Sequence, residues 1–146
     1  MANRRTLLAL ALPALLAACN TPSPRTIVLA RGPETTAALL AAHPPEEGRN
    51  ITPYLLGESQ RTSRHLVWIR NREPPHMHAK HDLLVTIIRG QGTLFLSEME
   101  IPLHEGDVAF VPAGIPHYFV NTSDTPSASF AVYSPPSDGS DVVPVK

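Results

Sequence analysis

The chain holds one cysteine, Cys19, among its 146 residues. A single thiol makes no intramolecular disulfide and no cysteine-rich metal cluster, and beyond position 19 there is no cysteine to act as a nucleophile. Long apolar runs are also missing. The stretch Thr6–Ala18 is 13 residues long and is interrupted by Pro13, whereas a bilayer core of ~30 Å needs roughly twenty. Charge of one sign is nowhere concentrated. Setting aside Arg4 and Arg5, the twelve Lys and Arg fall to ten against thirteen Asp and Glu, a net −3 from Cys19 onward. Without a basic run, nucleic acid and anionic headgroups are poor partners. There is no Gly-rich phosphate loop, no G-x-S-x-G elbow, no internal repeat and no helical segment long enough for a βαβ crossover.

What is present begins at the N-terminus. Arg4 and Arg5 form a positive region, Thr6–Ala18 an apolar one, and small residues precede Cys19, which is the pattern of a cleaved export signal. Leu16-Ala17-Ala18-Cys19 resembles the bacterial lipobox, whose cysteine is lipidated and becomes the first mature residue. Lipidation also accounts for a lone thiol in an exported chain, since oxidising compartments use cysteines in pairs. Asn3-Arg4-Arg5-Thr6-Leu7-Leu8 resembles a twin-arginine signal, a route for already folded proteins. The expectation is a signal over residues 1–18, a polar tether over 19–26, and a chain lipid-anchored to a bacterial envelope membrane, facing the periplasm.

The mature part reads as strands. Ile27–Ala30 predicts a short strand, and Pro33 followed by Glu34–Ala42 predicts one short helix ending at His43-Pro44-Pro45. After Asn50, short β-prone runs recur at Ile51–Leu56, Arg64–Arg70, His76–Lys80, Asp82–Arg89, Thr93–Ser97, Val108–Val111, His117–Asn121 and Ser127–Ser134, separated by Gly, Pro, Asn and Asp turns. This is the texture of a single all-β sandwich or barrel over residues 27–134. Residues 135–146, rich in Pro, Ser and Asp, form a tail that either covers a barrel edge or trails away.

Two constellations carry chemistry. In His76-Met77-His78 the two imidazoles lie at i and i+2 of a strand, so they share a face and can converge on one ion. The second is Gly106, Pro112, Gly114, His117 and Asn121, which reproduces G-x5-P-x-G-x2-H-x3-N. At about one in twenty per fixed position, chance supplies this match on the order of once in 10⁴ chains. A third imidazole thus arrives 39 residues beyond His78.

Residues Arg64 to Tyr133 resemble the cupin superfamily. The resemblance implies a small jelly-roll β-barrel with a divalent metal in its mouth, held by His76, His78 and His117. The first motif departs from the family pattern. Arg70 stands where a glycine leads, and the usual glutamate ligand falls either on Leu83, which cannot ligate, or on Asp82, one methylene shorter. Asp82 is then a fourth ligand, or an orienting partner of His81 or of a ligand histidine, or the site holds no metal tightly. Three neutral imidazoles suit Fe, Mn, Ni, Cu or Zn.

By strand parity, Phe119 and Asn121 follow His117 inward and Leu83, Val85 and Ile87 line the adjoining strand, giving a mostly apolar cup. No second carboxylate, lysine or tyrosine is recognisable as an acid or base. His43, His65 and His104 read as structural or exposed. Trp68 packs beneath the helix or at a dimer seam. The expected function is metal-dependent binding of a small organic molecule, with oxygenase- or isomerase-type chemistry at the metal. The alternatives are a non-catalytic binding or sensing module and, more weakly, an interaction scaffold. The resemblance also implies a homodimer.

Overall fold

The computed structural model describes residues 25–29 and 32–145; the signal, Cys19 and most of the tether lie outside them. Turn residues cut the chain into short strands, and apolar residues at every second position give each strand one face to bury. In order these are β1 (Thr26–Leu29), β2 (Gly32–Thr35), the helix α1 (Thr36–Ala42), β3 (Ile51–Glu58), β4 (Ser63–Ile69), β5 (His76–His78), β6 (Asp82–Arg89), β7 (Gln91–Leu96), β8 (Met99–His104), β9 (Val108–Val111), β10 (His117–Asn121), β11 (Ser127–Ser134) and β12 (Val142–Pro144). Two five-stranded sheets result, ordered β12-β5-β10-β7-β8 and β3-β4-β11-β6-β9. The fold is the expected all-β jelly roll with one short helix.

Between the sheets lies a core that includes Ile69, Leu83, Ile87, Leu94, Val111 and Phe119. The alternation along β6 sends Leu83 and Ile87 inward and leaves Leu84 exposed. At Gly92 the two strands β7 and β10 approach closely. A Cβ there would lie 2.2 Å from the Phe119 ring and 2.3 Å from the Val120 carbonyl oxygen, so only glycine lets Phe119 seat in the core.

Outside the second sheet, Leu66 and Trp68 are covered by Ile27 and by Leu40 of α1. Trp68 is buried and its indole N–H donates to the His43 carbonyl at 2.7 Å, which places it beneath the helix end. The part of that face formed by the start of β6 and by β9 is bare: Leu84, Val108 and Phe110 are 41%, 59% and 56% exposed.

Two details correct the sequence reading and a third decides a point it left open. The helix opens at Thr35, whose Oγ1 accepts the Ala38 N–H at 3.2 Å; Pro33 belongs to β2, opposite Val28. Threonine is the better N-cap, and proline is tolerated in a peripheral hairpin. Strand β8 was missed although Met99, Ile101 and Leu103 alternate with Glu100, Pro102 and His104, because Glu and Pro are depleted in strands; as an edge strand it can carry a proline. Of the two courses left open for the segment after Ser134, it takes the first and covers a barrel edge, since β12 pairs antiparallel with β5, Val142 opposite His78 and Pro144 opposite His76.

Candidate metal centre

His76 and His117 face each other across the β5–β10 ladder, and His78 stands on the same face of β5 two residues on. The ring centroids are 4.5 Å apart for His76 and His117, 5.2 Å for His76 and His78, and 5.3 Å for His78 and His117. One nitrogen from each ring lies within 4.8 Å of the other two. Backbone hydrogen bonds fix two of the rings. His76 Nδ1 meets the Pro74 carbonyl at 2.8 Å and His117 Nδ1 meets the Ile115 carbonyl at 2.9 Å. A carbonyl only accepts, so each Nδ1 carries a proton, which in a neutral ring leaves the lone pair on Nε2. The Gly114 N–H donates to the His78 carbonyl at 2.7 Å, tying the turn before β10 to the strand that carries the other two ligands.

The donor set fits a divalent ion. Burial lowers the pKa of His78, with the neighbouring His76 adding repulsion, and burial holds His117 down at about 4. Both rings are therefore neutral at pH 7, the form in which imidazole ligates. His76, His78 and His117 would hold the ion, with room left for a water or a ligand.

The low pKa of His117 has a consequence for acid stability. The unfolded chain protonates this residue near ~6.5, the folded chain only near 4. Between those values the unfolded state binds more protons, so stability falls as the pH falls, by on the order of 3 kcal/mol across the window. Glu73 works the opposite way, because burial raises its pKa; comparison with a variant isolates the histidine. In denaturant titrations of the metal-free chain from about pH 7 to about pH 4, wild type should lose on the order of 3 kcal/mol relative to His117→Gln. Parallel curves for the two proteins would show that His117 is not held neutral.

A cavity of about 60 Å³ opens beside the three rings. Leu83 and Phe119 line it, in keeping with strand parity. Asp82 and Asn121 do not. Asp82 is turned outward from the first position of β6 and its Oδ1 accepts the Ala113 N–H at 3.0 Å, outside the histidine group. Asn121 is spent on the backbone: its Nδ2 donates to the Arg70 and Thr125 carbonyls, both at 2.9 Å, and its Oδ1 accepts from Ser123 N–H and Ser127 Oγ–H. Both residues brace the loops that aim the ligands.

Two groups that the sequence reading missed stand on the cavity wall, Glu73 and Tyr133. The Phe119 N–H donates to Glu73 Oε2 at 2.9 Å, and the Glu73 N–H donates to the Phe119 carbonyl at 2.9 Å. Burial raises the pKa of Tyr133, and the carboxylates of Glu73 and Asp141 raise it further, so the phenol stays a hydrogen-bond donor. Its ring meets His78 edge-on at 5.1 Å. No motif marks Glu73, which lies in a loop; Tyr133 was legible only as an inward position of a strand.

The comparisons agree with this architecture. Residues 68–133 match the model of the cupin domain. A protein of Aquifex aeolicus described as uncharacterized is 44% identical over 91 residues, spanning 62% of this chain and 74% of its own. Among solved structures, a cupin-superfamily sugar phosphate isomerase from Silicibacter pomeroyi superposes with a TM-score of 0.52 and 29% identity, covering 58% of this chain and 59% of that one. A nucleoside dehydratase from Streptomyces superposes with a TM-score of 0.57 and 17% identity, covering 66% and 79%. With its matched region, two-sheet jelly roll and three converging histidines, this chain carries a cupin domain over residues 68–133.

Proposed function

We propose that this chain is an exported, lipid-anchored cupin that binds a small organic molecule beside a histidine-held divalent metal and carries out proton-transfer chemistry of the isomerase type. The observation that carries this reading is the placement of the Glu73 carboxyl and the Tyr133 phenol on the same cavity wall as His76, His78 and His117. A bound divalent ion supplies Lewis acidity toward a carbonyl or hydroxyl oxygen. The chain supplies the rest. Glu73 Oε2 is engaged by Phe119, which leaves Oε1 to take a proton from a ligand carbon or hydroxyl and return it. Tyr133 donates to a ligand oxygen, while Leu83, Val85, Ile87 and Phe119 keep water from the wall.

Among the described residues, no lysine or arginine lines the cavity. A phosphate there would find no cationic side chain beside the metal, so the ligand class we propose is a small neutral or cationic molecule bearing hydroxyl or carbonyl groups, in contrast to a sugar phosphate. The largely aliphatic wall favours a second reading, non-catalytic binding, in which the ligand stabilises the fold without turnover.

The lipobox-like Leu16-Ala17-Ala18-Cys19 supports anchoring at Cys19 and exposure to the periplasm, and the bare strip of Leu84, Val108 and Phe110 supports pairing with a second copy. The full-length chain produced in a bacterium is expected in the membrane fraction as a dimer with about one equivalent of metal, and Cys19→Ser moves it to the soluble fraction. Product formed from a small polyol or hydroxy-carbonyl panel selects the enzyme. A thermal shift without product selects the binder, and a chain that takes up no metal even after reconstitution overturns the metal-dependent reading and puts the binding module first.

A further inference from the structure

Strand β12 lays the C-terminal segment along the outer side of β5, and just before it stands a carboxylate. Asp141 is one of the most enclosed acids in the protein, its side chain 3% exposed. Oδ2 accepts from His81 Nδ1 in a short hydrogen bond and from the Lys80 N–H at 3.3 Å. Oδ1 faces His78 Nδ1 at 3.5 Å. Among the described residues, these last two are the buried side-chain polar atoms without a hydrogen bond. Two orphaned atoms are costly to leave apart, and a turn of the imidazole that closes the gap by about half an ångström joins them.

We propose that Asp141 is a positioning residue for the metal centre, holding His78 by its Nδ1–H so that Nε2 points into the cavity. The inference rests on the metal-centre reading above and completes a pattern. His76 and His117 each direct Nδ1 to a backbone carbonyl two residues earlier, whereas His78 has a carboxylate in that place. A charged acceptor raises the basicity of the ligating nitrogen and sets the tautomer. His81 holds the carboxylate from the other side: its Nδ1 meets Asp141 and its Nε2 meets the Pro136 carbonyl at 3.0 Å, so one ring clasps both ends of the segment that leads to β12. The Ala79 N–H donates to the Asp141 carbonyl at 3.1 Å, which sets the register. The metal affinity of the barrel thus depends on residues beyond the region matched to the cupin domain, which ends at 133.

The test uses the full-length chain, with Co(II) as the probe, read by dissociation constant and visible absorption spectrum. Asp141→Ala should weaken Co(II) binding by about 10–100-fold and change the spectrum. Asp141→Asn, which keeps an oxygen opposite the ring, should recover part of the affinity and guards against simple misfolding. His81→Ala loosens the clasp but leaves the carboxylate beside His78; it should lower the melting temperature with a smaller loss of affinity and an unchanged spectrum. Wild-type affinity and spectrum in Asp141→Ala overturn the inference alone, as does a His81→Ala variant that reproduces both changes. A wild-type chain that binds no Co(II) overturns the metal-centre reading itself.

Discussion

Alanine at both His78 and His117 should leave the chain with no metal above background, while wild type holds about one equivalent. The two rings supply two of the three converging nitrogens, and one remaining imidazole does not retain a divalent ion against water. Loss of a mere orienting partner weakens metal sites by about 10–100-fold; loss of two ligands exceeds that range. The fold should survive, because the rings point into a cavity and the sheets are held by ladders elsewhere. Mass-spectrometric metal analysis beside far-UV circular dichroism reads both effects. Retention of metal by the double variant would place the ion elsewhere and remove the basis of the proposed function.

Glu73→Gln is expected to abolish proton transfer while sparing the metal. The amide keeps an oxygen for the Phe119 N–H, so the 2.9 Å hydrogen bond that seats the side chain survives. What it loses is the capacity to accept a proton, and a positioned acid or base contributes about 10²–10⁴-fold. Turnover of any substrate found for wild type should fall by that factor at unchanged metal content. Burial raises the pKa of the Glu73 carboxyl, which brings it toward the range where a group both takes and returns a proton. Full turnover in the variant would move the proton-transfer role to another group. Absence of turnover in wild type, with ligand-dependent stabilisation retained, would favour the binding module.

Several features follow from the sequence alone. Strand β6 runs from Asp82 to Arg89, β9 from Val108 to Val111, β10 from His117 to Asn121 and β11 from Ser127 to Ser134, each with the bounds that β-prone composition and flanking turns predict. The shared face of His76 and His78 follows from a period of two, and the arrival of His117 from the spacing between Gly106 and Asn121. These are local quantities. A strand's alternation is set by its own backbone, so a sequence read in order contains it.

What stands across the barrel from a given face is not local. Asp82 and Glu73 show this: the motif favoured Asp82 as the acidic neighbour of the histidines, but the first position of β6 turns it toward Ala113, and Glu73, in a loop without a motif, reaches the cavity through its pairing with Phe119. Asn121 fits the motif and points inward by parity, yet closing the loop before β11 consumes its hydrogen bonds. Asp141 lies 63 positions from His78 in a tail that the sequence left undecided, and only the pairing of β12 with β5 brings them together. The sequence by itself determined most of the barrel strands, the faces they bury and which three imidazoles converge. The tertiary structure decided which carboxylates serve them, because that depends on which distant strands share a ladder, and strand pairing is fixed by burial and hydrogen bonding across the whole fold.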